Sequence, residues 1–90
     1  MDDAAIEHLR AFAASRVGVE GLVEPRTAVT HPTLVLVARD GEWTRRQVPD
    51  ASAAHALCND IGIPSYDAAK VGYPPRMRQW TARNRDSKSR

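Results

Sequence analysis

The chain has 90 residues, of which 42% are hydrophobic and 27% charged, and its formal net charge is +2. These values fit one small globular domain and exclude a wholly disordered chain, while the longest apolar run, residues 34–38, is far shorter than the roughly 18 residues of a membrane span. One cysteine excludes an internal disulfide, and the acidic start lacks the apolar stretch of a signal peptide, so we expect a cytoplasmic protein.

The first predicted element is an amphipathic helix over residues 2–16, where apolar side chains recur every three or four positions. Asp2 or Asp3 can cap its start. Residues 19–30 are predicted to be extended but interrupted by Pro25, which favours an edge strand or a bulged one. The best strand candidate within this stretch is residues 27–30.

A β-hairpin is predicted over residues 33–48, where two strand-like runs flank Asp40-Gly41. This dipeptide is typical of a two-residue type I′ turn, because glycine accepts the positive φ that the turn requires. The turn would place Ala38 opposite Trp43 and so fix the faces of both strands. The face expected to point into the core holds Leu34, Leu36, Ala38 and Trp43. The opposite face would hold Val35, Val37, Thr44, Arg46 and Val48.

A second amphipathic helix is predicted from its N-cap Asp50 to Gly62. Residues 63–67 are predicted to be extended, and residues 67–71 to add a short helical turn. A last helix is predicted over residues 76–85, opened by the proline before it.

These elements predict an α+β fold in the order α-β-β-β-α, with two helices against one face of a three-stranded antiparallel sheet. Residues 1–75 would form this two-layer α+β domain. Residues 76–90 would form a short basic C-terminal helix and a frayed tail without an apolar anchor.

Two resemblances accompany this prediction. The element order over residues 2–62 resembles the double-stranded-RNA-binding domain, although residues 49–55 lack the lysines with which that family clamps phosphates, so RNA contact through this helix is not implied. The segment Gly-Tyr-Pro-Pro-Arg-Met-Arg at residues 72–78 is similar to the C-terminal pattern of short, uncharacterised actinobacterial proteins. That likeness implies a bacterial, cytoplasmic origin and no particular activity.

The charge is unevenly distributed. Residues 76–90 carry six basic side chains and one acidic side chain, whereas residues 1–75 carry seven basic and ten acidic ones. Such asymmetry suggests a terminal segment that meets an anionic partner. The candidate nucleic-acid-binding residues are Arg76, Arg78, Trp80, Arg83 and Arg85. The alternative is a solvated helix that covers the sheet.

A possible second patch combines Arg45 and Arg46 with Trp43, since alternating cations and aromatics can bind single-stranded nucleic acid. Alternatively, Trp43 packs in the core and the arginines pair with acids. Tyr66 and Tyr73 lie before the last helix, where they could add stacking surface or anchor the loop.

The sequence thus favours a non-catalytic module that binds RNA or a ribonucleoprotein through its basic C-terminal helix. The alternative is a protein-interaction module, homodimeric or not, that uses the sheet face with Val35, Val37 and Arg46 or the edge strand near residues 27–30.

No enzyme, metal or cofactor is expected. Cys58 and His55 have the spacing of a nucleophilic pair, but Cys58 lies on the apolar stripe of its helix and is interpreted as a core residue. The three histidines lack metal-ligand spacing, and the chain has no glycine-rich phosphate loop.

Overall fold

A four-stranded mixed sheet forms the centre of the structure, a computed structural model that describes residues 1–88. The elements in chain order are α1 (Asp3–Ser15), β1 (Glu20–Glu24), β2 (Thr33–Val37), β3 (Trp43–Gln47), α2 (Ala51–Ile61), β4 (Ser65–Asp67), α3 (Ala68–Val71) and α4 (Pro75–Lys88). The strand order is β3-β2-β1-β4. Within the described residues, no helix combines the length and apolar character needed to cross a membrane.

The α+β class is confirmed, but the prediction of a three-stranded antiparallel sheet was wrong. β4 adds a fourth strand that runs parallel to β1. The segment around it was predicted to be extended, and it pairs with β1 from Gly21 to Val23, where Gly21 N also donates to Pro64 O over 2.8 Å. A strand of three residues is too short to show a periodicity of its own.

Helices α1 and α2 form where they were predicted, because their end signals are local. The Asp2 carboxylate accepts a hydrogen bond from Ala4 N at 3.2 Å. The Asp50 carboxylate accepts one from Ala53 N at 2.8 Å. Gly62 ends α2 in the left-handed region, at φ 93°, where a residue without a Cβ is favoured.

Residues 27–30 are not a strand, contrary to the prediction. They form an exposed turn in which Thr27 Oγ1 accepts from Thr30 N at 3.0 Å. A threonine hydroxyl of this kind competes with sheet hydrogen bonds. The strand lies earlier, at β1, where Leu22 and Val23 are buried.

The β2–β3 hairpin turns through three residues rather than the predicted two. Ala38 N donates to Glu42 O at 2.8 Å, and Gly41 N donates to Ala38 O at 2.9 Å. Gly41 has φ 97°, so the loop is a type I turn followed by a glycine bulge. Trp43 therefore lies opposite Val37 and not opposite Ala38.

This shift of one residue exchanges the two faces of β3, because successive side chains of a strand point to opposite faces. Trp43 packs with Val35 and Val37, whereas Val48 packs with Leu34 and Leu36. The predicted division of side chains was correct for β2 and wrong for β3.

Both faces of the sheet are covered, so the molecule has three layers instead of the predicted two. The core between the sheet and the first two helices contains Leu9, Phe12, Val19, Val23, Leu34, Leu36, Ala38, Val48, Ala54, Leu57 and Cys58. The core on the other face contains Leu22, Val35, Val37, Ala68 and Met77. Val35 and Val37 are buried, so they do not form an exposed protein-interaction surface while α4 is in place. Of the predicted frayed tail, residues up to Lys88 continue α4, and residues 89–90 lie outside the described part.

Candidate nucleic-acid interface

Three of the predicted binding residues attach α4 to the rest of the molecule. Arg76 Nε donates to Ala38 O at 3.0 Å, and its Nη2 lies 2.6 Å from Glu20 Oε1. Arg83 Nη2 donates to Asp40 O at 3.2 Å. Trp80 is half-buried against the same hairpin. The three residues recur at helical spacing, so one face of α4 carries them all.

Arg78 and Arg85 lie on another face of α4 and line a groove of about 410 Å³ between this helix and β3. We call it the arginine groove. Its lining residues are Trp43, Arg45, Tyr73, Met77, Arg78, Thr81 and Arg85. The structure thus unites part of the predicted helix patch with part of the predicted strand patch.

The sheet separates the two arginines of the predicted second patch. Arg45 pairs with Val35, and Arg46 pairs with Leu34, which belong to opposite faces. Arg46 therefore lies on the α1 side. There burial, followed by the positive charges of Arg46 and Arg16, lowers the pKa of His8 below its ordinary value. Only Arg45 reaches the groove.

Glu24, at the end of β1, organises one wall of the groove. Its carboxylate accepts from Arg45 Nη2 at 2.7 Å and Nε at 3.1 Å, and also from the hydroxyls of Thr33 and Tyr73. Burial alone would raise the pKa of Glu24, but these hydrogen bonds outweigh it and the pKa is lowered. Burial and the bond to Glu24 raise the pKa of Tyr73 to about 12, so the phenol stays protonated and donates.

Trp43 and Tyr73 have different roles in the groove. The indole Nε1 of Trp43 donates to Thr81 Oγ1 at 2.9 Å, so this ring is used to attach α4. The guanidinium of Arg45 lies 5.7 Å from the centre of the same ring. Tyr73 is 44% exposed and Trp43 is half-buried, so Tyr73 is the more accessible of the two aromatic residues in the groove.

The groove carries an excess of positive charge. It contains three guanidinium groups, and Glu24 neutralises that of Arg45. Among the described side chains, no carboxylate forms an ion pair with Arg78 or Arg85. The sequence indicated these two arginines, but it gave no signal for Glu24, whose importance depends on contacts with residues 9 to 49 positions away.

The residues considered for catalysis lie elsewhere. Cys58 is fully buried, and burial raises the pKa of its thiol to about 11, which disfavours the thiolate. His55 Nδ1 lies 2.6 Å from Ser65 Oγ on β4. The described part of the chain contains no group of three or more histidine, cysteine or acidic residues that could hold a metal ion.

The comparisons with known proteins add no relative. A scan against protein-family models, a search of curated proteins and a search of solved structures each return no match. The functional argument therefore depends on the geometry and charge of the arginine groove.

Proposed function

We propose that this protein is a small non-catalytic module that binds single-stranded RNA, free or within a ribonucleoprotein, in the arginine groove. The observation that carries the proposal is the convergence of Arg45, Arg78 and Arg85 around the exposed ring of Tyr73. Cations that track a backbone, combined with an aromatic ring for stacking, are the general means of binding a single strand.

The proposed roles follow from the contacts. Arg78 and Arg85 are exposed, and they offer phosphates the planar, bidentate donors that suit them. Tyr73 offers a ring face to one base, while Glu24 holds its hydroxyl. Arg45 is held by the Glu24 carboxylate, which also neutralises it. It therefore contributes hydrogen-bond donors at a fixed position and little net charge. Arg76, Trp80 and Arg83 keep α4 in place and contribute indirectly.

A single strand fits this site better than a duplex. The groove is a concave space between a helix and a strand, and its ring would have to meet an unpaired base. Bases in an RNA duplex are stacked on each other, and their faces are not accessible to a side chain.

The test is a fluorescence anisotropy titration of a labelled single-stranded U12 RNA. The double variant Arg78→Gln/Arg85→Gln should bind at least about tenfold more weakly, since it loses two charge-assisted contacts. Arg46→Gln is the control, because it removes one positive charge from the residue next to Arg45 in β3, which lies on the opposite face of the sheet. Its affinity should stay within about twofold of the unmodified protein.

Three results would reject the proposal: U12 does not bind at all, the double variant and Arg46→Gln lose equal affinity for U12, or a 12-base-pair RNA duplex binds more tightly than U12. A labelled acidic peptide that binds where U12 does not would indicate a protein partner instead.

A further inference from the structure

A second concave site adjoins the arginine groove on the same face of the sheet. It is a cleft of about 300 Å³, which we call the tyrosine cleft. Its lining residues are Glu20, Leu22, Val37, Tyr66, Val71, Gly72, Tyr73, Pro74 and Pro75. Of these lining residues, only Tyr73 has a proposed contact with RNA in the arginine groove.

The tyrosine cleft is apolar and open to a ligand. Leu22 and Val37 are buried and belong to the core beneath it. Tyr66, Val71 and Tyr73 are 40%, 58% and 44% exposed, and they make up half of the six large hydrophobic residues described as exposed. Apolar side chains that cluster around a concave site mark a ligand site more often than apolar residues scattered singly.

The size and position of the cleft restrict its occupant. A volume of about 300 Å³ lies at the lower limit of small-molecule sites, so one planar ring system fits better than an extended ligand. Tyr73 lines both the cleft and the arginine groove. A nucleotide chain that stacks on Tyr73 in the groove can therefore place an adjacent base in the cleft.

Glu20 is the one charged residue among those that line the cleft. Its Oε1 accepts from Arg76, and within the described residues its Oε2 has no hydrogen-bond partner. A carboxylate only accepts hydrogen bonds at neutral pH.

Guanine presents two adjacent donors, N1–H and the N2 amino group, on its Watson–Crick edge. Uracil presents one donor between two acceptors, and cytosine and adenine each place an acceptor beside their amino group.

We propose that the tyrosine cleft takes a guanine base of the single-stranded RNA bound in the arginine groove. This proposal rests on the proposed function. The base would stack on the tyrosine rings, and its two donors would meet the Glu20 carboxylate. The module would then prefer strands with a guanine next to the base that stacks on Tyr73.

The test compares labelled RNA heptamers UUUXUUU, where X is G, A, C or U, by fluorescence anisotropy. The guanine heptamer should bind about tenfold more tightly than the uracil heptamer. Glu20→Gln should reduce this ratio to about two or less, because an amide accepts only one of the two hydrogen bonds. Tyr66→Ala should weaken the guanine heptamer about tenfold through lost stacking. Val17→Ala, which removes an exposed apolar side chain outside the cleft, is the control and should change neither value.

The outcomes separate this inference from the proposed function. Equal affinities for the four heptamers, or an unchanged ratio in Glu20→Gln, would overturn the guanine site while RNA binding stands. If no heptamer binds, the proposed function fails. A titration of the unmodified protein with 5′-GMP and 5′-UMP, monitored by NMR, then decides whether the tyrosine cleft binds guanine. Shifts of the Val71 methyl signals with GMP and not with UMP would support the guanine site, and their absence would reject it.

Discussion

At the scale of single residues, Glu24 has the largest set of polar contacts around the candidate site. It joins β1, β2, β3 and the segment before α4 through hydrogen bonds from Thr33, Arg45 and Tyr73. Its side chain is 18% exposed, whereas that of Asp60, in the pair with Arg10, is 64% exposed. Interactions of a partly buried carboxylate are screened less by water and contribute more to stability.

We expect Glu24→Gln to lower the free energy of unfolding at pH 7 by about 2 kcal/mol, because it loses charge-assisted hydrogen bonds. Urea denaturation followed by circular dichroism measures this change. Asp60→Asn is the matched control and should cost less than about 0.5 kcal/mol. Equal costs for the two substitutions would show that Glu24 does not organise the groove wall.

The difference in stability between the unmodified protein and Glu24→Gln should be smaller at acidic pH. The pKa of Glu24 is lowered from its ordinary value of 4.5 in the folded protein. Its contribution to stability is therefore fully present above about pH 4.5 and is lost as the pH falls through the folded pKa. The stability difference between the unmodified protein and Glu24→Gln should shrink over that range, and a constant difference would contradict the assignment.

At the scale of elements, α4 and the β2–β3 hairpin depend on each other. A Cβ on Gly41 would lie 2.1 Å from the carbonyl oxygen of Arg76 and 2.7 Å from its carbon. The turn therefore requires glycine twice, once for its φ of 97° and once for the close approach of α4. Arg76 and Arg83 donate to backbone carbonyls of the same hairpin.

We expect Gly41→Ala to lower the free energy of unfolding by about 3 kcal/mol or more, because backbone strain is added to the displacement of α4. Gly62→Ala is the control. Gly62 has a similar φ of 93°, but a Cβ there would meet nothing within 4 Å, so strain alone should cost about 1 kcal/mol. Tryptophan fluorescence should shift to the red only in Gly41→Ala, because displacement of α4 would expose both tryptophans. Trp80 is part of α4, and Trp43 donates a hydrogen bond to Thr81 of α4. Equal stabilities of the two variants would contradict the docking contact.

The elements also show what the sequence could predict. Helix caps and apolar periodicity are local signals, and α1 and α2 form where they were predicted. Asp40-Gly41 is compatible with a two-residue turn and with a three-residue turn that has a glycine bulge. The observed turn is the one that lets Gly41 pack against Arg76, a contact 35 positions away that no local pattern contains.

At the scale of the whole molecule, folding divides the arginines that are concentrated near the end of the sequence. Arg76 pairs with Glu20, and Arg83 bonds to a backbone carbonyl. Arg78 and Arg85 remain exposed beside Arg45, which comes from a strand more than thirty positions earlier. The sequence predicted a basic helix correctly, but the groove arises only because α4 covers the sheet face opposite α1 and α2.

The placement of α4 also restricts how the candidate site can be tested. Met77 packs on Leu22, Val35 and Val37, so a chain that ends at Pro75 would expose this core. Loss of RNA binding by such a truncation would not separate a missing site from a disrupted fold. Substitutions of exposed arginines in the full chain avoid this problem.

The measurement that tests the cationic groove most directly is the salt dependence of U12 binding by the unmodified protein and by Arg78→Gln/Arg85→Gln. Each phosphate contact with a single strand contributes about −0.7 to the slope of log affinity against log salt concentration. Because Glu24 neutralises Arg45, we expect a slope of about −1.4 from Arg78 and Arg85, and a slope close to zero for the double variant. A slope near zero for the unmodified protein, or one unchanged by the two substitutions, would contradict the account.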